Sequence, residues 1–191
     1  MSIQQLFSNA ASRWPETLAL HEPATGQKLT FWQINAALQE FGTFLAERGI
    51  ACGARVGILA DASIPYLIAD YGSMACGYVR VPFDPSLSVK ELRNQIADAE
   101  IAILLHDPIH AELAQQAGGA TSVPLPTRWQ TITAHTAAPL AGGSPSTLAS
   151  LNYTGGTTGQ PKAVMHTQGS LTAIVSNIGQ ARPTSAGDVL L

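Results

Sequence analysis

The chain has 191 residues and a formal charge of −3, enough polypeptide to bury a real core without disulfides or metals. Hydrophobic residues make up 46% and charged residues only 12%, about half the usual charged share. That excludes a disordered, self-solvating chain and points to surface that is normally covered by more protein. The acidic balance also argues against a nucleic-acid grip, which needs clustered Lys and Arg.

Cys52 and Cys76 form neither a metal-type spacing nor a Cys-x-x-Cys pair, so two reduced thiols in a reducing compartment are expected. The N-terminus lacks a basic segment followed by a long apolar one, so no signal peptide is expected. Apolar runs such as Ile101 to Leu105 are too short to cross a bilayer. The expected location is cytoplasmic.

The segment Ile3 to Trp14 carries Ile3, Leu6, Phe7, Ala10 and Ala11 at helical spacing, and Pro15 stops it. Residues 18–21 and 28–31 flank Pro23-Ala24-Thr25-Gly26 and read as a hairpin. Thr30 is a candidate cap for a helix from about Trp32 to Arg48, with Ile34, Leu38, Phe41 and Leu45 as its buried stripe. Arg55 to Ala60 lacks clean alternation, as expected of a strand buried on both faces. Asp61 or Ser63 then caps a helix ending near Gly77. Tyr78 to Val81 is a strand closed by Pro82, Ser88 starts a helix through Asp98, and Ile101 to Leu105 is a third strand. Pro108 to Gln116 is a helix ending at Gly118-Gly119. This alternation predicts an α/β fold, a mostly parallel sheet flanked by helices, whose ligands bind beyond the carboxyl ends of the strands. A Pro/Gly-rich stretch at about 134–147 reads as an exposed connector, and Leu148 to Tyr153 as the next strand.

Directly after that strand the chain reads Tyr153-Thr154-Gly155-Gly156-Thr157-Thr158-Gly159-Gln160-Pro161-Lys162-Ala163-Val164. Glycines let the backbone approach a ligand with its N–H groups inward. Threonine hydroxyls add neutral donors, and a lysine adds a mobile positive charge, so the composition suits a phosphate cradle. A plain hairpin tip rarely concentrates Gly, Thr and Lys in this way. The Walker-type pattern is excluded because Pro161 precedes Lys162 and Ala163 follows it, and G-x-G-x-x-G is not matched.

The stretch closely resembles the Tyr-Thr-Ser-Gly-Thr-Thr-Gly-x-Pro-Lys-Gly-Val loop of the AMP-forming adenylating superfamily, which includes acyl-CoA synthetases, peptide-synthetase adenylation domains and firefly-type luciferases. Ten of twelve positions match. Gly155 replaces the serine, Ala163 replaces the glycine after the lysine, and the downstream Thr-His pair appears as Thr167-Gln168. Leu29 to Ile34, Gly53 to Ile58 and Ala75 to Pro85 are similar to earlier elements of the same family, in the same order.

The resemblance implies a two-step reaction. ATP and a carboxylic acid give an acyl-adenylate and pyrophosphate, then a thiol, usually coenzyme A, takes the acyl group. It also implies that Thr154, Gly155, Gly156, Thr157, Thr158, Gly159 and Lys162 contact the β- and γ-phosphates, with Mg²⁺ sharing the charge. The family's adenine pocket, magnesium-binding glutamate, ribose-binding aspartate and adenylation lysine lie later than these elements, and no catalytic residue is expected within this chain. The chain is therefore expected to be the N-terminal portion of the large domain of such an enzyme, inactive by itself. Its partners are expected to be the acid, ATP, CoA and the remainder of the enzyme, and its uncovered apolar area favours self-association.

Two other readings stand beside the CoA ligase: an adenylation domain that loads a carrier protein, and a non-catalytic fragment that has kept the fold. The five histidines show no metal spacing, since Asp107 and Pro108 break a helix between His106 and His110. Trp14, Trp32 and Trp129 are expected in the core or at contacts, and Asp84 in a structural turn.

Overall fold

A computed structural model of the chain describes residues 1–127, 143–154 and 162–182. Helix α1 (Ile3–Arg13) opens on a capping box, with Ser2 and Gln5 exchanging bonds between side chain and backbone. Strands β1 (Leu18–Glu22) and β2 (Gln27–Thr30) form an antiparallel ribbon. Thr30 and Gln33 make a second capping box at the start of α2 (Phe31–Ala46). The stripe Ile34, Leu38, Phe41 and Leu45 is buried, as its spacing requires.

Next come β3 (Arg55–Leu59), α3 (Ile64–Ala75), β4 (Val79–Pro82), α4 (Val89–Asp98), β5 (Ile103–His106) and α5 (Ala111–Ala117). Ser63, and not Asp61, caps α3, because its Oγ accepts from the Tyr66 N–H at 3.2 Å. The helix expected from Pro108 begins three residues later, after Asp107 has folded the chain into a turn. The chain then forms β6 (Thr121–Pro124), β7 (Leu148–Thr154), β8 (Lys162–Thr167) and α6 (Gln168–Ala181). Most of the connector expected at 134–147 lies outside the described residues, and its last part is a turn in which the Thr147 N–H donates to the Ser144 carbonyl at 2.9 Å.

The main sheet has the order β6-β5-β3-β4-β7-β8. All neighbours are parallel except β7 and β8, which form an antiparallel pair. Successive residues of the central strands face opposite layers. Val56, Ile58, Ile103 and Leu105 pack with Ile34, Leu38, Phe41 and Ile68 from α2 and α3. Leu59, Val79, Val81 and Leu104 pack with Leu92, Ile96 and Ala114 from α4 and α5. Gly57 is required beneath this second layer, since a Cβ there would lie 2.8 Å from the Phe83 ring.

This topology puts Leu59, Pro82, His106, Pro124 and Thr154 at one edge, the carboxyl ends of five parallel strands. The glycine/threonine stretch therefore leaves the sheet where α/β folds hold their ligands. Among the described residues, no helix is long and apolar enough to cross a membrane.

Candidate functional site

β7 is the element that delivers the glycine/threonine stretch, and its middle is fixed by charge. Arg80 on β4 lies in register with Ser150 on β7. Its guanidinium donates to Ser150 Oγ at 3.1 Å and to the carboxylate of Asp70 on α3. Asp70 and Ser150 are buried. Burial pushes the Asp70 carboxyl above its ordinary range, and the neighbouring guanidinium pulls it back.

Nearer the loop, Tyr153 packs its ring on Phe83, with centroids 6.4 Å apart and planes 22° apart. Its hydroxyl donates to Asp98 at 2.6 Å and to the Gln95 carbonyl at 3.2 Å, both on α4. Burial raises the Tyr153 phenol, and its hydrogen bond to the Asp98 carboxylate raises it further. Tyr153 thus acts as an anchor for the strand end, and alternation along the strand turns Thr154 the other way, into solvent.

Thr154 pairs directly with Lys162 across the β7–β8 ladder, and its Oγ1 donates to the Lys162 carbonyl at 3.4 Å. Both side chains are exposed. Two members of the expected phosphate set are therefore brought together at the root of the loop, a hydroxyl and an ammonium on facing strands. Gly155, Gly156, Thr157, Thr158 and Gly159 lie outside the described residues. An exposed hydroxyl and a cation, which is in no ion pair among the described residues, suit a polyphosphate.

The same edge carries a second polar group. Asp107, just after β5, accepts from the Asp61 N–H at 2.9 Å, the His110 N–H at 2.9 Å and the His110 ring Nδ1 at 2.7 Å. Burial raises the Asp107 carboxyl, but these three bonds outweigh it and hold the group below its ordinary value. Ligand atoms of Asp61, Asp107 and His110 lie within 4.8 Å of one another. The carboxylate of Asp107 is already engaged by these donors, so the trio ties the ends of β3 and β5. Sequence spacing alone does not reveal it, because two of its members follow different strands. At the start of α3 the Ile64 N–H is taken by the Glu22 carboxylate at 3.0 Å. Asp84 accepts from the Ser86 N–H and hydroxyl at 2.8 and 2.7 Å, the structural turn expected of it. Of the tryptophans, Trp14 is 48% exposed against Phe31, which places it at the surface and not in the core.

Where the resembled pattern has a histidine the chain has Gln168, a departure visible in the sequence, though its contacts are not. It is 1% exposed. Its Oε1 accepts from the Ile3 N–H at 3.0 Å, and its Nε2 donates to the Met74 carbonyl at 2.7 Å.

The fold is an α/β domain with a mostly parallel sheet, and Thr154 and Lys162 lie at the carboxyl edge of that sheet, where such folds usually hold ligands. The chain belongs to the AMP-binding enzyme family, which matches residues 7–191. It is 31% identical over 182 residues to surfactin synthase subunit 2 of Bacillus subtilis (strain 168), covering 94% of this chain and 5% of that protein. It is 29% identical over 189 residues to the long-chain-fatty-acid–CoA ligase FadD13 of Mycobacterium tuberculosis, covering 92% of this chain and 37% of that one. The crystal structure of VinN superposes with a TM-score of 0.88 at 24% identity, over 98% of this chain and 49% of that chain. The chain therefore spans half or less of the length of these relatives.

Proposed function

We propose that this chain is the N-terminal part of an AMP-forming carboxylate–CoA ligase. In the first step a carboxylate oxygen bonds to the α-phosphorus of ATP and the bond to pyrophosphate breaks. In the second the thiol of coenzyme A takes the acyl group and AMP leaves. Thr154, Gly155, Gly156, Thr157, Thr158, Gly159 and Lys162 hold the β- and γ-phosphates and steady the departing pyrophosphate. Mg²⁺, when bound with ATP, shares that charge. The observation that carries the reading is the placement of Thr154 opposite Lys162 where β7 leaves the carboxyl edge.

Acid-dependent exchange of pyrophosphate into ATP by the full-length protein tests it. Thr157→Ala combined with Thr158→Ala should lower exchange by about 10²–10³-fold, the usual effect of removing a donor to developing charge. Undiminished exchange would refute the assignment. A second reading, an adenylation domain that loads a carrier protein, is favoured by the 31% identity to a surfactin synthase subunit. Thioester formation on free CoA against formation on a carrier protein separates the two.

A further inference from the structure

β8 has an unusual problem of register. A strand with one buried face is pinned by alternation, because a slip of one residue would expose its apolar set. β8 has only a weak version of such a face: Ala163 packs against the core, but Met165 on that same face is 71% exposed and Val164 on the other is 42% exposed. Among the described residues it is also an edge strand, bonded only to β7. The ladder contains an irregularity, too. Leu148 pairs with Thr167 and Ser150 pairs with His166, so β7 carries one extra residue between them. The single small side chain of Ala163 is a weak pin, so a further contact is needed to decide that Lys162 faces Thr154 and not a neighbour.

We propose that Gln168 is the positioning residue that sets this register, a donor–acceptor clasp at the end of β8 remote from the loop. Its side chain joins three elements far apart in sequence. The carbonyl oxygen takes an N–H at the start of α1 that has no partner within the helix, and the amide N–H₂ meets a carbonyl in the last turn of α3. Both are fixed points of the buried core. The backbone holds the same junction: Gln168 N–H donates to Thr147 O at 2.9 Å, and Gly169 N–H donates to Pro145 O at 2.8 Å. Thr172 Oγ1, which donates to the Gln168 carbonyl at 3.0 Å, also lies 3.3 Å from the Met1 carbonyl. With its far end held, β8 reaches Lys162 after six residues, roughly 20 Å at the rise of a strand. A slip would carry Lys162 out of line with Thr154 and change the number of residues in the loop. The value of that alignment for phosphate rests on the function proposed above, but the clasp itself does not.

The clasp demands one acceptor and one donor at fixed places. Both side-chain bonds of Gln168 go to backbone groups, which do not titrate. The titratable groups near the junction, His166 on β8 and the N-terminal amine two residues before Ile3, are common to the wild type and every variant, so the wild-type pH profile is the reference. Histidine, which the resembled pattern carries here, meets the demand only when neutral. Glutamate meets it only when protonated, through C=O and O–H. The two substitutions must therefore respond to pH in opposite directions, a behaviour that simple loss of packing cannot produce.

The test is amide hydrogen exchange of this chain, read over residues 162–167 and, as an internal control, over β3 and β5. No nucleotide is needed, so its outcome is separate from that of the exchange assay above. Gln168→Met should lower protection of β8 by about tenfold or more, as expected for loss of buried hydrogen bonds, with the control strands much less affected. Corrected for intrinsic exchange, Gln168→His should regain β8 protection above pH 7 and lose it below about 6, around the ordinary imidazole value. Gln168→Glu should regain it on acidification toward pH 5 and lose it by pH 8. Equal protection of β8 in the wild type and Gln168→Met would overturn the proposal. So would a loss that falls equally on β3, β5 and β8, or the same pH response in the His and Glu variants.

Discussion

Breaking the Asp70–Arg80 pair in the middle of the sheet should unfold the chain more readily than any surface change, and with a characteristic pH dependence. The side chains are 9% and 18% exposed, so removing one partner strands a largely desolvated charge. Such losses cost about 3–5 kcal/mol. For a chain of this size that lowers Tm by about 6–20 °C. The perturbation is Arg80→Met, which keeps the stem and removes the charge together with the bond to Ser150. Burial already raises the folded-state Asp70 carboxyl above 3.8, and Arg80 opposes it. Without Arg80 the folded value climbs further. A raised folded value contributes stability that is full below the unfolded value and lost as pH rises through the folded one. The deficit of Arg80→Met should therefore be largest at pH 7 and shrink toward pH 4. Urea denaturation of both proteins at pH 7 and pH 5 reads this directly. The double variant Asp70→Leu/Arg80→Met should recover much of the loss, since apolar replacement of a buried pair is often close to neutral. A single-variant deficit below about 1 kcal/mol, or one that grows on acidification, would refute the reasoning.

Other outcomes follow from local geometry. Gly169→Ala should lower Tm despite alanine's helix propensity, because its Cβ would lie 2.8 Å from the Pro145 carbonyl oxygen, a backbone atom; a Tm at or above wild type contradicts this. The carboxyl of Asp107 is held below 3.8, so its contribution is present above that value and lost as pH falls through the folded one. Asp107→Asn should then flatten the acid limb of the stability–pH curve below pH 4, which thermal melts at stepped pH will reveal. Burial pushes the Cys76 thiol up to about 12, whereas Cys52 is exposed. A thiol reagent should accordingly modify Cys52 in the native protein and reach Cys76 only after denaturant is added.

The parallel core was legible because its strands and helices announce themselves locally. Val56 to Leu59 and Ile103 to Leu105 are unbroken apolar runs, and Ser88, Thr30 and Ser63 are capping residues in the positions that helix starts require. β6 was not legible, for a physical reason. Thr121, Ser122 and Pro124 are exposed at a sheet edge, so no apolar pattern marks them. β8 and α6 escaped for a related cause: their apolar residues are left uncovered at Met165, Ile174, Val175 and Ile178. The site divides in the same way. The Gly/Thr/Lys composition is what singles out the loop as a candidate phosphate cradle in the sequence. The facing of Thr154 and Lys162 comes from ladder register, and the placement of Gln168 from contacts 165 and 94 residues away in sequence. No local pattern encodes either.

The central claim is that residues 154–162 bind the phosphates of ATP. Titration of this chain with Mg·ATP, followed by phosphorus NMR of the β- and γ-resonances, tests it most directly. The account predicts saturable shifts with a Kd of about 1 mM, some 4 kcal/mol, weakened at least about tenfold in Thr157→Ala/Thr158→Ala, a loss of roughly 1.4 kcal/mol. Shifts of equal size and midpoint in the wild type and the variant would contradict it.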